Sequence, residues 1–297
     1  MKKDENYWDK RGKTSYIYKK EKFYTITPIP FYYKRRNILK IFLKDILKDE
    51  NIRTILDYGC GDGYYLNYFL SVYSEKNYYG VDISEEMISL AKEKNQAINF
   101  YILKDFTPPY NIKFDFIYSI AVFAHILNEA ELLNIFIYFH QLLTDNGKIA
   151  FFEQTAPKER RGDNWIRRTI GCYIEIAEKC GYKLISYKVI SFPAHRFFER
   201  KIATIYKKYF VKGNTPLEKS INANKSLVFR MLSQIFLFFS LSSCGNIEEI
   251  EGNTLFVFER NKTNGQRACL TKDRMPPIRG SGRQLRTFGD IIFEVVE

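Results

Sequence analysis

The sequence predicts an α/β fold, a doubly wound parallel sheet with helices on both faces. Three observations predict it. Short apolar strands alternate with longer stretches of helical periodicity, the first strand runs into a glycine-rich turn, and the first two strands each end on an acid. Such alternation makes successive strands parallel and joins them by right-handed crossovers.

Residues 1–50 are polar, basic and rich in tyrosine, and Pro28 and Pro30 should break any helix there. From Tyr33 to Lys48 apolar residues recur on one helical face and lead into a strand at 53–58. A helix over 64–74 and a strand at 78–82 follow. Ser84 is a good N-cap for a helix to Lys94, with Glu85 and Glu86 in the first turn where the helix dipole favours acids. A strand at 98–103 ends near Asp105, and one at 114–119 leads to an apolar helix over 128–143. Asp145, Asn146 and Gly147 turn the chain into strand 148–153. A helix is expected over 164–180, stopping at Gly181, and strand 183–190 then runs to Pro193.

The most informative stretch is 53–63, RTILDYGCGDG, in which Gly59, Gly61 and Gly63 follow Asp57. A turn that passes close to a ligand needs glycine, because a Cβ would clash and only glycine takes positive φ freely. Asp82 ends the second strand, where an acid accepts both hydroxyls of a ribose, so the turn reads as a nucleoside site. The spacing is GxGxG, not the GxGxxG that seats a dinucleotide pyrophosphate, and no GxxxxGK[ST] loop occurs. Asp62 lies in the turn and no Lys or Arg falls between Arg53 and Lys76, so a diphosphate would find little compensation. A cationic nucleoside without phosphate suits the site better.

The runs ILDYGCGDG, YYGVDIS and FDFIYSIAVFAHI, in that order, resemble the class I S-adenosylmethionine-dependent methyltransferases of the small-molecule type, over residues 50–195. The resemblance implies a Rossmann-like, seven-stranded sheet, six strands parallel and one antiparallel. The antiparallel strand would be Asn253 to Glu259, beside the fifth. It implies S-adenosyl-L-methionine as cofactor. Asp57 and the turn at Gly59, Cys60 and Gly61 would approach the amino-acid part, with Cys60 read as a packing residue. Asp82 would take the ribose, Ile83 and Met87 the adenine side, Asp105 and Phe106 the adenine amino group and ring, and Ser119 and Ala121 the opposite side. Residues 1–50 would be a lid or lead segment before a domain at 51–260. Basic and aromatic residues interleaved there also suit single-stranded nucleic acid, but no RNA-binding motif accompanies them.

An insertion at 196–250 replaces the short connection expected before the last strand. Its first half is basic (Arg196, Arg200, Lys201, Lys207, Lys208, Lys212), and its second, Leu227 to Leu241, is apolar. The apolar part is too short to span a bilayer and is interrupted by Arg230 and Gln234. It either packs on the domain as an acceptor cap or dimer surface, or lies in a membrane interface. Residues 261–297 read as a poorly ordered tail, since 263–297 hold five Arg, one Lys and no Tyr.

Residues 51–157 hold seven Lys/Arg against thirteen Asp/Glu, whereas the whole chain carries +12, so an acidic core is wrapped in basic flanks. Those flanks are either a solvated surface or a rim that draws an anionic acceptor. Five scattered cysteines without CxxC spacing argue against a disulfide framework and a zinc site, and with no apolar leader the expectation is a cytoplasmic protein, monomeric or homodimeric.

Methyl transfer to a hydroxyl requires a base. His125, after the fourth strand, and Glu153, ending the fifth, are the candidates, with His195 third and His140 structural. The run FFEQTAP followed by Arg167, Arg168 and Tyr173 resembles the acceptor-facing region of methyltransferases of glycan and lipid pathways. The implied acceptor is a small anionic or amphipathic molecule methylated on oxygen, a sugar or lipid intermediate. RNA- or protein-directed methylation and non-catalytic cofactor binding are the alternatives. A dinucleotide oxidoreductase is disfavoured by the missing GxGxxG.

Overall fold

Seven strands form one mixed sheet in the computed structural model, which describes residues 28–103, 112–242 and 252–261. They are β1 (Thr54–Tyr58), β2 (Asn77–Asp82), β3 (Asn99–Ile102), β4 (Phe114–Ile120), β5 (Leu143–Thr155), β8 (Tyr182–Ile190) and β9 (Gly252–Arg260). A separate hairpin joins β6 (Arg160–Gly162) to β7 (Trp165–Arg167). The sheet order is β3-β2-β1-β4-β5-β9-β8, with β9 antiparallel to both its neighbours and the remaining pairs parallel. This is the expected arrangement of six parallel strands and one reversed. The order turns back on itself between β1 and β4, and the crevice at such a switch point opens at the carboxyl ends of the strands.

Strand side chains alternate between two cores. On one face Leu56, Tyr58, Ile117, Ile149, Phe151 and Phe256 pack on α4 (Glu129–Leu142) and α5 (Ile170–Lys179). On the other, Ile55, Phe116, Tyr118, Ala150 and Val257 pack on α1 (Ile29–Leu47), α2 (Tyr64–Leu70) and α3 (Glu85–Lys94). Part of the expected lead segment is therefore in the core: α1 buries Leu39, Leu43 and Leu47.

Three boundaries differ from expectation. Pro30 begins α1 rather than breaking it, because the first helical turn has no use for a proline's missing N–H. Helix α2 ends at Leu70, where the Tyr78 hydroxyl reaches the carbonyls of Phe69 and Tyr73 at 3.2 and 3.0 Å. The helix expected from 164 starts at Ile170, where the Thr169 hydroxyl accepts the Cys172 N–H at 3.1 Å. The residues before it form the hairpin instead.

Between β8 and β9 the chain builds α6 (Pro193–Phe197), a π turn over Phe198–Ile202, α7 (Ala203–Tyr209), α8 (Pro216–Lys225) and α9 (Leu227–Ser242). Helix α9 packs on α1, α6 and α8. No helix among the described residues is long and apolar enough to cross a membrane. The expected lid residues 1–27, Asp105, Phe106 and the tail from 262 lie outside the described residues.

Candidate functional site

At the carboxyl end of β1 the chain turns through Gly59, Gly61 and Gly63 with φ of 79°, 54° and 71°. A Cβ on Gly59 would lie 2.3 Å from Cγ2 of Val122 beyond β4, so the two strand tips approach as only glycine permits. The N–H groups of Gly59 and Cys60 both donate to the Val81 carbonyl at 2.8 and 2.9 Å, and that of Gly61 donates to Oδ2 of Asp82 at 2.8 Å. Three successive donors are thus engaged inside the protein, whereas a phosphate loop turns such donors to its ligand.

The ionisable groups at this turn are acids. Asp82 is half-buried, and its Oδ1 accepts the Ser84 N–H at 3.0 Å, so one carboxylate braces the glycine turn and the start of α3 together. Asp57 is buried under the turn; burial pushes its carboxyl up to about 8, Tyr118 pulls it down, and the neighbouring Asp82 charge pushes it up again. Asp62 forms an ion pair with Lys94 of α3. The sequence window around the turn contains no such cation because Lys94 arrives from the next helix. Ile83 and Met87 are half-buried beside Asp82, and the Met87 N–H is held by the Ser84 hydroxyl at 3.2 Å. Burial pushes the Cys60 thiol well above its ordinary value, which leaves it a packing group.

Ser119 does not line this crevice. It is buried, and its hydroxyl donates to the Tyr58 carbonyl at 2.9 Å, tying β4 to β1. Ala121 does reach the rim, exposed and with φ of 58°, an unfavourable value for a residue with a side chain.

Beyond β4 a 3₁₀ turn, Phe123–His125, is clamped at both ends. Glu153 of β5, fully buried, accepts the N–H groups of Val122 and Phe123 at Oε1 (2.8 and 2.7 Å) and that of Ala124 at Oε2 (3.1 Å). Arg168, also buried, donates to the carbonyls of Phe123 and Ile126 at 3.1 and 2.7 Å. Burial pushes Glu153 up to about 7 against the pull of the three amides and Arg168. Two expectations are corrected here. Glu153 has both oxygens committed to backbone amides, so it positions the turn and is no exposed base, and Arg168 faces the turn and not an acceptor. Tyr173 is likewise buried, packed between Phe151 and Phe256 in the core.

His125 ends the clamped turn, half-buried, with Nδ1 3.0 Å from the Asn164 carbonyl in the β6–β7 hairpin. A carbonyl only accepts, so Nδ1 carries a proton, and in the neutral ring Nε2 is the acceptor nitrogen. His140 is buried against Tyr182, remote from this edge.

A cavity of about 270 Å³ opens at the same carboxyl edge, between the ends of β5, β8 and β9 and helices α1 and α6. Arg35, Arg167, Arg196 and Arg200 line it, with one carboxyl, Glu199. Burial raises Glu199 while Lys207, Arg35, Arg196 and Arg167 pull it down. His195 forms part of the wall: its ring stacks on Phe31 at 4.3 Å, its Nε2 lies 3.2 Å from the Ser233 hydroxyl, and burial pushes it down to about 4, so it is neutral at physiological pH. Arg35, Arg196 and Arg200 were not picked out as site residues from the sequence. The basic half of the insertion was the only trace of Arg196 and Arg200, and the basic character of residues 1–50 that of Arg35. A larger hollow of about 700 Å³ lies at the opposite ends of the strands, where the ion pairs Lys148–Asp49 and Arg260–Asp145 occupy its walls.

Replacing Glu153 should alter the pH dependence of stability. The native carboxyl binds its proton more tightly than an unfolded-chain glutamate near 4.5, so the contribution of Glu153 to stability should fall as pH rises from there to about 7 and stay constant above. Glu153→Gln lacks this component and sets an amide donor against a backbone N–H, costing about 1–3 kcal/mol. Urea unfolding of both proteins across that window tests it; parallel curves would remove Glu153 as the buried titrating group.

Residues 30–178, half of the chain, match a family model described as a methyltransferase domain. A malonyl-[acyl-carrier protein] O-methyltransferase of Ilyobacter polytropus is 33% identical over 118 residues, covering 38% of this chain and 41% of that protein. The chain thus matches about two fifths of the length of this curated relative. The O-methyltransferase of a trans-AT PKS multienzyme of Brevibacillus brevis, crystallised with S-adenosyl-L-homocysteine, shares the fold with a TM-score of 0.56 at 14% identity, over 82% of this chain and 81% of that one. Family model, strand order and glycine turn agree, and the chain belongs to the class I S-adenosylmethionine-dependent methyltransferases.

Proposed function

We propose that this methyltransferase modifies an oxygen of a small anionic or amphipathic acceptor, a sugar or lipid intermediate, bound in the arginine-lined cavity with His125 as base. The observation that carries the reading is the placement of four arginines on the same sheet edge as the glycine turn. Guanidinium groups bind carboxylate and phosphate through paired donors, and the half-buried setting of Arg35, Arg167 and Arg196 strengthens their contacts.

The residues at the turn suit S-adenosylmethionine. The donors of Gly59, Cys60 and Gly61 are already engaged, and Asp57 and Asp82 supply acids that favour a cation. When bound, the cofactor supplies an electrophilic methyl group on a sulfonium, which calls for alignment more than for covalent help from the protein. Asp57 would hold the ammonium of the amino-acid part, and Asp82 the ribose hydroxyls. Glu153 and Arg168 hold the turn that carries His125, and the Asn164 carbonyl fixes its tautomer. His125 would then take the hydroxyl proton at Nε2.

One observation favours a second reading. Paired arginine donors suit a carboxylate acceptor equally well, and the relative from Ilyobacter polytropus is named for a malonyl group. A carboxylate oxygen is already ionised at neutral pH and needs no base. His125→Ala separates the two: turnover should fall about 100-fold or more for a hydroxyl acceptor, with cofactor affinity unchanged. Near-normal turnover in a folded variant would favour the carboxylate.

Two further outcomes follow from the site. Asp57 titrates near 8 in the free protein, and a bound ammonium requires its ionised form, so affinity for S-adenosylhomocysteine should rise with pH up to about 8 and then level off. Calorimetry in buffers of differing ionisation enthalpy should show proton release that Asp57→Asn abolishes; proton-neutral binding would refute the anchor. Arg167→Ala combined with Arg200→Ala should raise the KM for the acceptor by about tenfold or more, as should salt, while cofactor affinity stays constant. Arg168→Ala should instead lower the melting temperature. An unchanged KM in the double variant would take the acceptor out of this cavity.

A further inference from the structure

We infer that the outward face of α9 docks on an anionic membrane surface. One side of this helix is committed to the protein. Phe229 packs on Phe198 and Tyr206 at 5.4 and 5.1 Å, Ser233 meets His195, and Leu237 and Ser240 are buried. The other side carries Leu227, Val228, Met231, Ile235, Phe238 and Phe239, each between 48% and 64% exposed. Gln234 is the polar residue among the exposed positions from 227 to 239. An unbroken apolar stripe of large side chains on a helix surface marks a contact face.

Length and charge select the occupant. Helix α9 has 16 residues. At about 1.5 Å per residue it falls short of the ~30 Å hydrocarbon core, and its inner side already belongs to the protein, so it lies along an interface and does not cross one. The segment 193–242 that bears it holds nine Lys/Arg against two Glu. A second copy docked through the same face would bring like charge against like. Anionic headgroups complement it, each nearby cation adding about 1 kcal/mol of attraction. Lys225, exposed at the end of α8, and Arg230 on α9 itself lie nearest the stripe in the chain. This inference does not depend on which acceptor the cavity holds.

Sedimentation of the full chain with vesicles tests it. Vesicles of mixed phosphatidylcholine and phosphatidylglycerol should carry the protein down, with affinity falling as salt is added, and vesicles of phosphatidylcholine alone should bind much more weakly. Phe238→Ser with Phe239→Ser should weaken vesicle binding by about tenfold for each ring removed, leaving the melting temperature and S-adenosylhomocysteine affinity unchanged. Met231→Glu, at a separate position, should do the same if the double variant proves poorly soluble. Absence of binding to mixed vesicles would overturn the inference. So would a wild-type dimer in sedimentation equilibrium that the serine variant dissociates, since a second copy would then own the face.

Discussion

The clamp on the turn after β4 is the contact on which the rest of the site depends. One buried carboxylate gathers three backbone donors and one buried guanidinium gathers two backbone carbonyls, so a short turn with little regular hydrogen bonding of its own is fixed at both ends. Taking either charge into the core costs several kcal/mol unless its hydrogen bonds are met. Here they are met by the backbone of the turn, which links the position of Val122 against Gly59 to that of His125 against Asn164. The glycine turn and His125 are joined through this one turn.

Electrostatics divides the carboxyl edge of the sheet into two halves. Around the glycine turn carboxylates predominate, Asp57 driven toward neutrality by burial and Asp62 paired with Lys94. Around the cavity four guanidiniums outnumber the one carboxyl, Glu199, and burial does not neutralise them at physiological pH. On the proposed reading, a cationic cofactor and an anionic acceptor would be drawn to opposite ends of one crevice, and no residue would have to recognise both.

Much of this was legible in the sequence. Local signals fixed the glycine turn, the acids at the tips of β1 and β2 and the Ser84 cap, because each rests on residues close together in the chain. The reversed strand beside the fifth came instead from the family resemblance. What sequence could not reveal was which way a polar side chain faces. Arg167 and Arg168 are adjacent, yet one lines a cavity and the other clamps a buried turn, since neighbours on extended backbone point to opposite sides. Glu153 reads as a base at a strand end, and its partners, three amides some thirty residues earlier, have no sequence signature. Residues 164–167 read as the start of a helix, yet 165–167 form the second arm of the 160–167 hairpin, whose turn at Asp163 and Asn164 follows Gly162.

The π turn at Phe198–Ile202 bears on how this cavity changes over generations. A π turn amounts to one residue added within a helix, often near a functional site, and each added residue rotates everything after it by about 100°. Glu199 and Arg200 lie inside that turn, and Arg196 just before it. Their convergence on one hollow is therefore set by the helix's phase as much as by which residues are present. Loss or gain of a single codon here would re-aim the charges while leaving every arginine in place. An indel at this turn would thus redraw the charge pattern of the cavity in one step, which substitutions would reach only one residue at a time.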